Sequence, residues 1–237
     1  MRESGRGTSG FVGLSIGLGL VAAGWFVGSA IRHFKDFERY VTVKGLAERE
    51  VAADLAIWPL VHSVSGNDLT ELQARLDADA AKIEAFLLAE GFARDELSRS
   101  APRVADQAPA GTQGGYVPKE RYVVESTVTL RTAKVDGARL SIQRSGALVR
   151  EGVRLLRSYE YDTQYFFTAL DRVNPEMIAE ATRDARQAAE KFAQDSGARI
   201  GGIRRAQQGY FSIEDRDAFS PERKKVRVVT TVEYFLE

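Results

Sequence analysis

Residues 54–130 map onto residues 160–236 at a constant offset of 106 positions without a gap, and this self-similarity points to a fold built from one unit used twice. Asp68 before Leu69 falls on Asn174 before Pro175. Both read as helix starts, with a side-chain oxygen at the cap and, in the second copy, proline at the first helical position. Phe86 falls on Phe192, the helix-ending Gly91 on Gly197, Leu72 on Ile178 and Leu97 on Ile203. In the closing strands Tyr122, Val124, Ser126, Val128 and Leu130 coincide with Val228, Thr230, Val232, Tyr234 and Leu236, so the same face is the buried one in both copies. The helix stripes agree less well. Leu69, Leu72, Leu76, Ala80, Ile83 and Leu87 become Ile178, Ala181, Ala185, Ala188 and Phe192, turned slightly around the axis.

Each unit therefore reads as strand, long helix, strand, strand. Alternating apolar residues place strands at 40–63, 94–104, 120–132, 155–170, 199–213 and 225–235, with a shorter helical stretch at 135–149 between the units. The expected class is α+β: duplicated βαββ units forming antiparallel sheet packed by long helices. Pro59 lies inside the first long strand, where it has no N–H for a ladder, so a bend, bulge or edge is expected there. The loops at 101–119 and 214–224 occupy equivalent places, and the first is rich in Pro, Gly and Ala.

Ahead of this lies one uncharged run, Phe11 to Ile31, closed at once by Arg32, His33 and Lys35. Its 21 residues make a helix of about 31 Å, close to the hydrocarbon thickness of a bilayer. A cleaved export signal also fits, since Gly28, Ser29 and Ala30 are small, but the run exceeds the usual signal length of roughly 7–15 residues and ends in stop-transfer cations. Both readings imply export. Charge does not orient the span, because Arg2 and Arg6 on one side face Arg32, Lys35 and Arg39 on the other. Gly13 with Gly17 and Gly24 with Gly28 have GxxxG spacing, although glycine is common in membrane helices generally. The expected plan is a short tail at 1–10, a transmembrane anchor at 11–31, a juxtamembrane linker at 32–39 and one domain at 40–237, with units near 54–130 and 160–236.

The 206 residues after the run carry 31 Lys and Arg, setting aside Arg2 and Arg6, and 32 Asp and Glu, setting aside Glu3. Without a basic excess, nucleic acid is a poor partner. Cysteine is absent, which leaves no disulfide framework, thiolate metal site or thiol nucleophile. His33 and His62 are the only histidines, beside the apolar run and within an expected strand, and no metal-binding spacing such as HExxH occurs. Asp77 and Asp79 are two apart and on a helix point to different faces. Gly114-Gly115 and Gly201-Gly202 fit neither phosphate-loop pattern and read as turns; Ser63 and Ser65 lack a nucleophile elbow. No catalytic, cofactor-binding or metal residue is assigned. Tyr159, Tyr161, Tyr165, Phe166 and Phe167 lie in one expected strand, where they line either a core, an interface or a ligand groove. Arg204 and Arg205 with Arg223 to Lys225 stand among Asp215, Asp217 and Glu222, as in a mixed solvated face.

The segment Tyr40 to Pro59, YVTVKGLAEREVAADLAIWP, resembles the opening of SIMPL-domain proteins, in which a strand ending in glycine is followed by an acidic, valine-containing turn and Asp-Leu-Ala. Ala179 to Ile203 is similar to that family's most recognisable helix and strand, with Asp184-Ala185-Arg186 at its centre and then Gly197 and Gly201. Val226 to Leu236 resembles its closing strand. The resemblance implies a bacterial envelope protein on the periplasmic side, self-assembling, of the periplasmic immunogenic or oxidative-stress-defence type, with no established enzymatic activity. The expected function is thus a non-enzymatic, inner-membrane-anchored protein with a structural or stress-protective role. The alternative is a periplasmic module that binds a small molecule, a peptide or an envelope protein.

Overall fold

The computed structural model describes residues 17–21, 23–26, 28, 39–107, 119–156 and 162–237. Of the apolar run, residues 17–21, 23–26 and 28 are helical; the rest of the expected span and most of the linker lie outside the described residues. Among the described residues no helix is long and apolar enough to cross a membrane.

The chain has the expected α+β character. It runs β1 (Tyr40–Ala52), β2 (Leu55–Gly66), α1 (Leu69–Ala89), a 3₁₀ turn (Arg94–Glu96), β3 (Leu97–Arg99), β4 (Arg103–Asp106), β5 (Tyr122–Thr132), α2 (Val135–Arg144), α3 (Gly146–Arg150), β6 (Gln164–Phe166), α4 (Leu170–Asp195), β7 (Ile200–Gln208), β8 (Ser212–Asp215) and β9 (Arg223–Leu236). One sheet has the order β3-β5-β2-β6 with β4 alongside β5; the other is β1-β9-β7 with β8 alongside β9. The chain divides into two compact units, the first Met1–Glu48, Asn174–Phe211 and Arg227–Glu237, the second Arg49–Val173 and Ser212–Val226.

In the second unit, β2 and β5 form an eleven-pair antiparallel ladder from Ala56↔Thr132 to Gly66↔Tyr122. Because strand side chains alternate, their even-numbered residues share one face. On that face Trp58, Leu60, Val128 and Leu130 meet Ala80, Ile83 and Leu87 of α1, and Ala138 and Leu148 of α2 and α3 join the same cluster. Val64 and Val124 meet Leu72 and Leu76 in a second cluster. Helix α1 starts where expected: the Asp68 carboxylate accepts from the amides of Thr70 at 2.7 Å and Glu71 at 3.1 Å. Its stripe lacks one expected member, Leu69, which sits in the first turn and is 45% exposed.

In the first unit, β1 buries Val41, Gly45 and Ala47 while β9 buries Val232 and Tyr234. Helix α4 lies over them with Met177, Ala181, Ala185, Ala189 and Ala193 turned inward. Alanine at every fourth position lets helix and strand approach closely. A methyl on Gly45 would stand 1.8 Å from the Ala181 carbonyl oxygen and 2.4 Å from the Ala185 nitrogen, so only glycine fits beneath this helix.

The structure corrects several sequence expectations. The first long strand is two, separated at Ala53-Asp54, and β2 pairs with β5 without a shift through Pro59. Of the strand expected at 155–170, the described residues hold the three-residue β6 and an isolated bridge, His62↔Leu155, with Leu170 already in α4, and residues 157–161 lie outside the described set. The strand expected at 94–104 begins later and is interrupted: Leu97 pairs Leu130 but Arg103 pairs Glu125, a one-residue slip across Ser100–Pro102 that continues into β4 inside the expected loop. Helix α4 begins a turn before Asn174, placing Pro175 inside it and leaving the Asn174 Oδ1 with no hydrogen-bond partner. Gly201-Gly202 belong to β7, not to a turn. At the offset of 106 the helix ends (Ala89, Asp195), the left-handed glycines that follow (Gly91 φ 92°, Gly197 φ 68°) and the buried parity of β5 and β9 coincide. The opening strands and helix starts do not, and Phe192 is 51% exposed where the stripe expected it inside.

Candidate binding groove and exposed strand

The residues of the Gly-Leu-Ala, Asp-Leu-Ala and Asp-Ala-Arg stretches have physical tasks in the structure. Gly45 admits α4, and the next amide, Leu46, donates to the Asp184 carboxylate at 2.8 Å, tying β1 to the helix. Asp54 stands at the corner between β1 and β2. It accepts from the Thr168 amide at 2.8 Å, the Thr168 hydroxyl at 3.0 Å and the Ala169 amide at 2.8 Å, just before α4 begins. Partial burial opposes its charge, but these donors outweigh it and hold the carboxyl below the usual carboxylate range.

Arg186, the third residue of Asp-Ala-Arg, belongs to a groove of about 380 Å³ in the first unit. Thr182, Arg183 and Arg186 of α4 form one wall, Gly201, Gly202 and Ile203 of β7 the other, with Ile200 and Tyr234 completing it. The groove is open at Gly202, where nothing lies within 4 Å of a built methyl, whereas a methyl on Gly201 would meet Glu237 Oε1 at 3.0 Å. The β7–β9 register shifts twice between Ile200 and Arg205. Arg186 Nε donates to Glu190 at 3.1 Å, and Arg183 Nε points at the Ala179 carbonyl at 3.4 Å.

Beyond the groove β7 is an edge with no second partner strand among the described residues. Every residue from Gly202 to Gln208 is exposed, Ile203 by 56%, and Tyr210 just past its end is fully exposed. Arg204 is held over the Tyr40 ring at 3.9 Å and bonds Glu233 at 3.3 Å, so its charge is already matched. Lys224 pairs with Asp215. The mixed character expected of these cations holds at both places.

A second, smaller cleft of about 170 Å³ opens in the second unit along Trp58 to Val61, with Ile142, Ser145, Leu155, Leu156, Asp162 and Thr163. Leu156 N donates to Val61 O at 2.8 Å and Ser63 N to Arg154 O at 3.1 Å, so odd residues of β2 present their polar backbone to this edge. Pro59 shares that parity and has no N–H to offer this edge. Of the expected aromatic strand, Tyr159 and Tyr161 lie outside the described residues. Tyr165 is core, and burial pushes its phenol up.

His62 is fully buried on the α1 side of β2, opposite Ser126, with neither ring nitrogen hydrogen-bonded. Burial drives its pKa down against the opposing pull of the Leu60 and Leu76 backbone and of Asp79. Asp79 is buried and bonds Lys82 at 3.1 Å, whereas Asp77 is exposed and bonds Arg99 at 3.1 Å; the two carboxylates diverge as their spacing requires. Ser65 donates to Glu120, and the Ser63 hydroxyl is buried without a partner. His33 and Gly114-Gly115 lie outside the described residues. Among those described, no group of three or more His, Asp or Glu is arranged to hold a metal ion. Sequence reasoning did not single out the groove, and the signal available was Gly201-Gly202 following a helix with Arg183 and Arg186 on one face.

No curated protein matches the sequence. The profile of the SIMPL family, described as a protein of unknown function (DUF541), matches residues 41–234, from the second residue of β1 nearly to the end of β9. The matched span contains both sheets, the Gly45–α4 crossing and the groove. The chain belongs to the SIMPL family.

Proposed function

We propose that this chain is a periplasmic SIMPL protein of a bacterial inner membrane, retained by residues 11–31, which associates with copies of itself and has a structural or stress-protective role without catalysing a reaction. The observation that carries self-association is β7, a nine-residue sheet edge exposed almost throughout. Such an edge presents unpaired backbone groups in register for another strand. Its first half is guarded by the register shifts and by Arg204 and Arg205, but Ala206 to Gln208 pair regularly with β9 and carry no charge. Anchoring raises the effective concentration at which copies meet. The 21-residue uncharged run and its closing cations support retention in the membrane.

The test is crosslinking of the full chain in membranes, with Ala206→Pro as the probe. Gly209 N bonds Val229 O, so by alternation Ala206 directs its N–H away from β9, and proline removes an outward donor without removing a ladder bond. Crosslinked oligomers that disappear in this variant support the reading; monomer at native expression in the parent protein refutes it. Light scattering of detergent-extracted full-length protein beside residues 40–237 then assigns assembly to the domain or to the apolar run. A second reading, a ligand-binding module, is favoured by the groove between α4 and β7.

A further inference from the structure

We propose that the groove between α4 and β7 binds a small amphipathic carboxylate, its acid group held by Arg183 and Arg186 and its apolar body lying on Ile200, Ile203 and Tyr234. This deepens the ligand-binding reading and rests on it. Arg183 and Arg186 are three apart on α4, so they share a face, and both line the groove, Arg183 reaching back toward Ala179 and Arg186 forward toward Glu190. Among the described residues no acidic side chain lines the groove. Glu190 engages only the Nε of Arg186, and Arg183 spends its Nε on a long contact to a backbone carbonyl, so the terminal amines of both forks remain for an anion. The chain as a whole is neutral, so this paired charge is local rather than part of a basic surface.

The rest of the lining decides what kind of anion. Ile203 is 56% exposed in the groove wall, whereas Ile200 is half-buried and Tyr234, only 4% exposed, closes the bottom. A phosphate or other inorganic ion leaves that surface wet, and a purely apolar molecule leaves the guanidinium groups unused; a compact molecule with one acid group and one apolar end uses both. The Thr182 hydroxyl donates to the Ile178 carbonyl at 2.8 Å and offers only an acceptor to the site. A volume of about 380 Å³ is at the small end of ligand pockets, which limits the occupant to a short chain or a single ring.

The experiment uses the full chain in lipid nanodiscs, with 3-phenylpropanoate as probe, its neutral amide 3-phenylpropanamide as comparison, empty nanodiscs as blank and calorimetry or ligand-observed NMR as readout. Saturable binding of the acid is expected, weakened about tenfold in the amide and in each of Arg183→Gln and Arg186→Gln, since a hydrogen bond to a charged group is involved. Gly202→Leu fills the open wall and abolishes binding, whereas Lys191→Gln, on the same helix but outside the groove, leaves it unchanged. All these side chains are at exposed positions, and an unchanged urea midpoint in each variant certifies the fold. The proposal is overturned if the acid shows no saturation up to about 10 mM, or if acid and amide bind alike. It is equally overturned if both arginine variants bind like the parent. The oligomer mass of the same samples separates the two readings: loss of ligand binding with assembly intact removes the site and leaves self-association standing.

Discussion

Gly45→Ala is the sharpest single perturbation of this fold. The added methyl lands 1.8 Å from the Ala181 carbonyl oxygen, 2.4 Å from the Ala185 nitrogen and 2.8 Å from the Ala185 methyl. Ordinary contact begins near 3.4 Å, so α4 must lift by about 1.6 Å along that line, and the obstacle is helix backbone rather than a side chain that can rotate away. A gap of even 0.5–1 Å forfeits roughly a quarter to a half of each contact's dispersion energy. The contacts at stake are those of Ala185 and Ala189 with Val41, Val232 and Tyr234. The Leu46 amide bond to Asp184 lengthens with them and is worth about 1 kcal/mol at an exposed site. Overpacking alone costs about 1–3 kcal/mol, so the total expected is about 3–4 kcal/mol, a large share of the roughly 5–15 kcal/mol that holds a domain together. Urea unfolding followed by circular dichroism reads it. Gly202→Ala is the internal reference: that methyl meets nothing within 4 Å, and its effect stays within about 0.5 kcal/mol. Equal midpoints for the two variants would refute the close-crossing argument.

Acid should weaken the second unit through His62. Its folded pKa lies below the ordinary 6.5, so below that pH the unfolded chain takes up a proton that the native state refuses. Stability owed to this group is therefore constant above about pH 6.5 and falls beneath it by up to about 1.4 kcal/mol per unit; His62→Leu flattens that slope, and an NMR imidazole titration at or above 6.5 would contradict it. Asp54→Ala removes three bonds at the start of α4 and should cost about 1–2 kcal/mol, with faster amide exchange across its first two turns. Because the Asp54 carboxyl is depressed when folded, its contribution is present above about pH 3.8 and is lost as pH falls through the lower folded value, an acid dependence that the alanine variant lacks. Leu130→Ala, fully buried on β5 in the cluster that includes Ile83 and Leu87 of α1, should cost about 2–5 kcal/mol in the same urea assay.

Strand parity was legible in residue order because it is a local property. Val128 and Leu130 in β5, like Val226 and Val232 in β9, are flanked by polar residues, and period-two alternation survives whatever the sheet packs against. The caps were legible for the same reason: Asp68 bonds amides two and three residues on, and Gly91 and Gly197 take the left-handed conformation that ends a helix. The start of α4 was not. Asn174-Pro175 looks like a cap and first turn, yet Asp54, more than a hundred residues earlier, supplies the acceptor for Thr168 and Ala169 and the helix begins there. The inward face of α4 was misread by one position at both ends, since Met177, Ala189 and Ala193 are buried rather than Ile178, Ala188 and Phe192, and at 192–193 the alanine and phenylalanine differ in hydropathy in the opposite sense to their burial.

The groove shows the same division. Its arginines, its two glycines and its aromatic floor come from three separate segments, and only the β7–β9 pairing and the seat of α4 bring them around one opening. What the sequence by itself determined is the α+β class, the alternation of the main strands, the Asp68 cap and the terminating glycines, the near-neutral charge and the apolar run at 11–31, all of them read from the residues without reference to distant contacts. The tertiary structure alone decided where the first strand breaks, how closely α4 approaches Gly45, that β7 is left bare and that Arg183 and Arg186 face Ile203. These depend on the volume and hydrogen-bonding capacity of residues distant in the chain, for which hydrophobic periodicity carries no information.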